Sequence, residues 1–498
     1  MSKHGELRGL DRVASSPQFE GRFGRMFRTL PPAQFAEADL RKLAAAMVAK
    51  LDDPQTPETE PDGEENSGIS AGYTYLGQFI DHDLTLDTTS SLEKQNDPDA
   101  LIDFRTPRFD LDCVYGRGPD DQPYLYAPDG LRLLLGRKLT GNADDPNAQD
   151  LQRNRHGRAL IGDPRNDENV IVSQLQSSFI RFHNRMVDFT RSKDFGEVQC
   201  LVRRHYQWVV LHDFLPTIVG PEVVHDILPQ LANPGFLTPH FHAYHPRGPY
   251  PFMPVEFSVA AYRFGHSMVR PIYRLNQTIQ RILIFSTDPS NSLVGFHEFP
   301  DYMGIDWSLF FKMGPAPEFG PKRVQPAYKV DSSLVNPLGQ LPPAVATGVV
   351  SLAERNLLRG LRMGLPSGQA VARRLGLPVI PDEMLRVGKA THEDADKNPR
   401  LVDLAPGFAD NAPLWYYVLA EAQQPYQTTP PPDDTLPVRL GPVGGRIVAE
   451  VFIGLMLGDH HSYLHLDPAW RPFPEFEKEG RFGMAELIAQ ALQASPVP

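Results

Sequence analysis

Apolar positions recur with a helical period along much of the chain. In residues 172–189, VSQLQSSFIRFHNRMVDF, Leu175, Phe179, Phe182 and Met186 fall at i, i+4, i+7 and i+11 and form one stripe. Residues 198–214 and 444–457 are apolar enough for buried helices, and 484–493 (MAELIAQALQ) reads as a short amphipathic one. Two-residue alternation is rare, and RILIFS at 281–286 is the best strand candidate. The pattern predicts a mainly α fold with long loops and little strand. Two polar, proline-bearing excursions, 52–67 and 423–437, are short, and helical segments resume on both sides, so neither separates domains. The organisation expected is an N-terminal arm over 1–25, one large single domain over 26–480, and a C-terminal helix and tail over 481–498.

Composition refines this picture. The 498 residues include 49 Pro and 39 Gly without a Gly-X-Y repeat, which fits many loops. A net charge of −12 argues against non-specific binding to nucleic acid. The longest apolar stretch, 447–457, is interrupted by Glu450 and is too short to span a bilayer. The first residues carry no apolar core of a secretory signal, so a cytoplasmic location is expected. Cys113 and Cys200 alone cannot make a disulfide framework.

Five segments carry candidate chemistry. In YTYLGQFIDHDLTLD (73–87), Gln78 and His82 share a helix face with Asp81 beside them, while Asp83 points elsewhere. Set among Leu76, Phe79 and Ile80, that polar trio is either a bonded core histidine with a helix-end Asp, or part of a pocket. In IGDPRNDENV (161–170), Arg165 and Glu168 are three apart, just before the long helix, where Asp and Asn also serve as caps. In FSVAAYRFGHSMVRP (257–271), Arg263 and His266 are three apart, and Ala260, Ala261 and Gly265 thin one side, permitting close approach of something flat. In LAERNLLRGLRMGLP (352–366), Asn356 can accept a proton from a histidine ring and Arg359 can clamp a carboxylate. In RTPRFDLDCVYG (105–116), Thr106, Arg108, Asp110 and Asp112 alternate. An extended loop would aim them one way at a hard cation, or leave a solvated acidic turn. The clusters His240, His242, His245 and His460, His461, His465 lack helical zinc-site spacing with a carboxylate base and read as loop or partner-facing histidines.

Taken together and in this order, these segments resemble the animal-type haem peroxidases of the peroxidase–cyclooxygenase superfamily, and look most like its bacterial members. The resemblance runs from about 70 to 460. GQFIDHD (77–83) resembles the distal-helix motif, DPRNDE (163–168) the distal-arginine segment, and RFGH (263–266) the proximal-histidine motif. N-x-x-R with GLP (356–366) resembles the segment that buttresses that histidine, and T-x-R-x-D-x-D before VYG the family's calcium loop.

The resemblance implies haem b, with His266 as axial iron ligand, Asn356 as its hydrogen-bond partner, and Arg263 and Arg359 near the propionates. It implies His82 as the distal acid–base, with Gln78 and Arg165 in the same pocket. Asp81 and Glu168 occupy the positions that the family esterifies to haem, and Asp83, Thr106, Asp110, Asp112 and the Arg108 carbonyl become calcium ligands. The activity implied is oxidation of small organic donors, or of easily oxidised halides and pseudohalides, by hydrogen peroxide through a ferryl haem. Fatty-acid dioxygenation of the cyclooxygenase type is the alternative.

Three positions depart from the family pattern. Asn169 stands where some mammalian members carry a Met that forms a third haem link, which points away from chloride oxidation. Arg263 occupies the place of the radical tyrosine of the cyclooxygenase branch, leaving Tyr262, Tyr244 and Tyr250 to serve instead. Asp112 stands where Ser is more usual, adding charge to the cation loop.

Overall fold

The computed structural model describes residues 23–50, 62–85, 107–232, 237–246, 251–343, 345–346, 348–427, 436–495 and 497. Thr106 and Tyr250 lie outside the described residues, as do 1–22 and parts of the two polar excursions. The helices of eight residues or more begin with α1 (Glu37–Met47), α2 (Ala71–Leu84), α3 (Val170–Thr190) and α4 (Phe195–Val209). They continue with α5 (Leu352–Arg362), α6 (Gly368–Leu375), α7 (Leu414–Ala422), α8 (Pro442–Gly458) and α9 (Met484–Ala491). The fold is mainly helical, as the periodicity predicts.

Strand is confined to short pairs. Phe23–Gly24 runs parallel to Met253–Pro254, and Glu65–Ser70 runs antiparallel to Pro326–Tyr328. The strand expected over 281–286 shrinks to Ile282–Leu283, paired with Ile272–Tyr273. Its partner is equally short: Pro271 offers no N–H to extend the ladder, and the Leu275 N–H turns to the Ile279 carbonyl.

The largest departure from the sequence pattern is α3. It is buried on every side from Val170 to Asn184, not on one stripe, because α2, α4 and α9 all pack around it. Its polar side chains are bonded in place. Arg181 pairs with Asp145 at 2.6 Å and Gln174 donates to the Met303 carbonyl at 2.7 Å. Glu450, the charge inside apolar α8, accepts the backbone N–H groups of His242, Ala243 and Tyr244 at 2.7–2.9 Å.

The chain from Phe23 to Phe27 is strapped to two distant segments. The buried Glu256 carboxylate accepts the N–H groups of Met26 (3.0 Å) and Phe27 (3.2 Å). The Arg25 guanidinium donates to the carbonyls of Met363 (2.6 Å) and Gly364 (3.0 Å), just after α5. Among the described residues, no helix is long and apolar enough to cross a membrane.

Candidate functional site

Helix α2 buries Leu76, Phe79 and Ile80, with the Phe79 ring stacked on Phe179 of α3 at 4.4 Å. Its less buried positions, Tyr73, Gly77, Gln78 and Asp81, recur at helical spacing and form one face. The groups that answer this helix come from the 3-10 turn Pro164–Asp167 and the residues beside it. Gln78 Nε2 donates to Glu168 Oε1, and His82 Nδ1 lies 2.7 Å from Asn166 Oδ1. Asn169 serves both structure and site. Its Oδ1 caps α3 by accepting from Ile171 and Val172, a contribution of about 1 kcal/mol, while its Nδ2 donates to Gln78 Oε1 at 3.1 Å. The capping reading of 161–170 therefore holds, and the same segment brings Glu168 to Gln78.

Arg165 is clamped. Its guanidinium donates to Asp163 Oδ2 at 2.7 Å and to the carbonyls of His82 (3.0 Å) and Thr85 at the end of α2. Asp163 also caps the turn by accepting the Arg165 N–H at 2.8 Å. Burial pushes the Glu168 carboxyl up to about 7, against the pull of Arg165. Burial likewise raises Asp81, opposed first by Arg165 and then by Arg263. Charges from the two chain-distant motifs thus act on one carboxylate.

Beneath α2 the carboxylates of Asp83, Asp110 and Asp112 converge, with ligand-capable oxygens within 4.8 Å of one another. They do not meet by alternation along an extended loop, as expected. Leu111 adopts φ 56°, and a helical turn starts at Asp112, so the backbone folds the two aspartates round to Asp83. Asp83 is fully buried and accepts from the Leu111 N–H (3.2 Å) and the Cys113 thiol (3.3 Å). Burial, then the charges of Asp110 and Asp112, push its pKa well above the carboxylate range. One buried and two half-buried carboxylates so close together suit a bound cation. Arg108 sends its side chain toward Asp459, at 3.8 Å. Among the described residues neither histidine cluster forms a comparable grouping.

The RFGH segment is a 3-10 turn, Ala261–His266, not the end of an α-helix. Three residues per turn put Arg263 and His266 on one side, and both reach Asn356 of α5. Asn356 Nδ2 is 2.8 Å from His266 Nδ1, and Arg263 Nη1 donates to Asn356 Oδ1 at 3.0 Å. The expected direction, ring proton to asparagine oxygen, is therefore reversed. Arginine has only donors, so it takes the amide oxygen and turns the amide nitrogen toward the ring. Burial, then Arg263, lowers His266 to about 3, so the ring is neutral. Arg359 lies one turn along α5 and is buried.

These residues fit a haem. His266 is deep enough to be held neutral yet keeps accessible surface, as do Gln78, Asp81, Glu168 and Arg263. A Cβ at Gly265, beside His266, would meet nothing within 4 Å. Iron ligation through Nε2 needs Nδ1–H donated to Oδ1, which a turn of the Asn356 amide supplies once Arg263 releases the oxygen. Tyr262, on the same turn, donates its hydroxyl to the Gly77 carbonyl of α2 at 3.2 Å. Tyr244 is bonded away from the site, to Phe252, at 2.9 Å.

Sequence reasoning passed over Asn166 and Gln176. Asn166 lies inside the quoted DPRNDE, and Gln176 is one of several polar residues in the long helix α3. Among so many polar neighbours in α3, no local signal set Gln176 apart.

Residues 91–384, more than half of the chain, match the family model for the animal haem peroxidase, and the chain belongs to that family. It is similar to the thyroid peroxidase of Canis lupus familiaris, 26% identical over 374 residues that cover 72% of this chain and 35% of that protein. It is also similar to the peroxidasin of Drosophila melanogaster, 24% identical over 330 residues, 63% of this chain and 19% of that one. The chain thus spans about a third or less of the length of these curated relatives. Peroxidase A from Dictyostelium discoideum overlays with a TM-score of 0.57 at 15% identity, over 96% of this chain and 94% of that one. The fatty acid alpha-dioxygenase of Oryza sativa overlays with a TM-score of 0.54 at 14% identity, over 97% and 83%. Both overlays concern the fold.

Proposed function

We propose that this chain is a haem-dependent peroxidase that uses hydrogen peroxide to oxidise small organic donors or easily oxidised halides and pseudohalides. The observation that carries this reading is the pairing of two differently furnished histidines. His82 is bonded to Asn166 beside a clamped arginine, and His266 is a neutral ring backed by an amide. Haem, when bound, supplies the redox centre that takes up the oxidising equivalents of peroxide.

The chain's own residues do the rest. His266 would hold the iron through Nε2, with Asn356 orienting the ring. His82 takes a proton from one peroxide oxygen and returns it to the other. Arg165 supplies fixed positive charge at the end of α2, moderated by Asp163. Arg263, once it releases Asn356, is available with Arg359 to the haem carboxylates. Asp81 and Glu168 are the candidates for ester links, and Asp83, Asp110 and Asp112 for calcium. Asn169 caps a helix where a sulfonium-forming Met would stand, so bromide, iodide or thiocyanate are favoured over chloride.

The test is to load the purified chain with haem, mix it with peroxide, and screen phenols, halides and unsaturated fatty acids. Consumption of peroxide with oxidation of phenols or iodide supports the reading. One observation favours a second reading, fatty-acid dioxygenation: the Tyr262 hydroxyl reaches α2 from the proximal turn. Oxygen uptake with linoleate, abolished by Tyr262→Phe, would replace the first reading with the second.

A further inference from the structure

Four groups stand in single file behind the distal helix. His82 Nδ1 lies 2.7 Å from Asn166 Oδ1, Asn166 Nδ2 donates to Gln176 Oε1 at 2.8 Å, and Gln176 Nε2 donates to the Cys113 carbonyl at 3.1 Å. The side chains are buried throughout: His82 is 5% exposed, Asn166 and Gln176 0%. Water therefore cannot substitute for a missing partner at low cost.

We propose that Asn166 and Gln176 are positioning residues that fix the tautomer of His82, with the ring proton on Nδ1 and the lone pair on Nε2. The direction of the file follows from its end. A backbone carbonyl only accepts, and the Cys113 oxygen also takes the Asp163 N–H at 3.2 Å. Gln176 must present its nitrogen to that oxygen, so its own oxygen faces Asn166. Asn166 must then present its nitrogen to Gln176, so its oxygen faces the ring. Reversing either amide sets oxygen against oxygen in a dry interior. An imidazole facing a pure acceptor through Nδ1 keeps its proton there.

The anchor is itself held. Cys113 follows Asp112, and its thiol donates to Asp83 at 3.3 Å. Gly162 passes so close that a Cβ there would lie 2.3 Å from the Asp112 carbonyl oxygen and 2.6 Å from that of Cys113. The loop that gathers the three carboxylates therefore also sets which nitrogen of His82 bears the proton.

The consequence for catalysis rests on the reading of His82 as the proton-handling base; the tautomer itself does not. The full chain is labelled with 15N-histidine and observed by ring-nitrogen NMR, before haem addition and again with diamagnetic zinc protoporphyrin. His82→Gln assigns the signal. The wild type should show a protonated Nδ1 and an unprotonated Nε2. Asn166→Leu, similar in size but unable to accept, should lose that preference and slow the reaction of the haem-loaded chain with peroxide about ten- to a hundredfold. An Nε2-protonated ring in the wild type overturns the proposal without any variant needing to fold, and so does an unchanged ring in Asn166→Leu. If the ring responds as stated while the peroxide reaction does not, the tautomer assignment stands and the reading of His82 as the base falls.

Discussion

His82 and His266 each meet the rest of the protein through an asparagine, yet the two files end in opposite chemistry. Behind His82 the file ends in a backbone carbonyl, an acceptor held in place by its neighbours. Behind His266 it ends in the Arg263 guanidinium, a donor on a side chain that also holds the Ser258 carbonyl at 3.0 Å. The same ring–amide pair therefore carries opposite proton placements. The distal ring points its proton at Asn166, and the proximal ring receives one from Asn356. The terminal group, not the asparagine, decides. Under the proposed function, a carbonyl terminus would suit a ring that returns to one state each turnover, and an arginine terminus a ring that changes partners on binding iron.

The comparison can be broken most directly at the rings. His82→Ala should slow peroxide consumption about 10²–10⁴-fold while haem content, read from absorbance after gel filtration, stays close to wild type. His266→Ala should do the reverse at the first step and leave the chain with less than about a tenth of its haem. Equal haem loss in both variants would erase the distinction between the two sides.

Smaller effects sharpen it. Arg263→Leu frees Asn356 Oδ1, so haem uptake by the empty chain, followed by stopped-flow absorbance, should speed up several-fold. Slower uptake would mean that Arg263 guides the incoming haem more than it restrains the amide. Asp112→Asn tests the anchor of the distal file. In chelator the variant should be more stable in urea by about 1 kcal/mol, because like charge around buried Asp83 is relieved. In millimolar calcium the sign should reverse.

The smallest effect is a slope. The Glu168 carboxyl titrates near 7 in the folded chain, above its ordinary 4.5. The folded form thus keeps a proton that the unfolded chain has released, and stability falls as pH rises from about 4.5 to 7. Glu168→Gln should remove that fall in the haem-free protein and match the wild type below pH 4.5. An identical slope in both proteins would place the titration elsewhere.

Helices α2, α4 and α8 were legible because their apolar spacing is local. The contacts that join Gln78 to Glu168, Arg165 to the end of α2 and His266 to Asn356 fall within the short strings that the sequence singled out. The all-round burial of α3 was not legible, because it depends on α9, some three hundred residues away. Asn166 and Gln176 stayed invisible for the same reason: their partners come from segments that no window joins. At 110–112 the alternation misled. A left-handed Leu111 breaks the two-residue period that the reading assumed, and nothing in leucine announces that conformation.

The strap near the N-terminus makes a vulnerability out of an ordinary surface residue. Arg28 is exposed, and the chain just before it ties the Glu256 segment, ten residues ahead of His266, to the end of the helix that carries Asn356. A trypsin-like protease cutting after Arg28 would leave the strap held by contacts alone. Once it drifted off, Glu256 would lose its two backbone donors and the cover they bring. Limited digestion should therefore shorten the storage life of the haem-loaded protein by loosening its grip on the cofactor, long before any cut reaches the core.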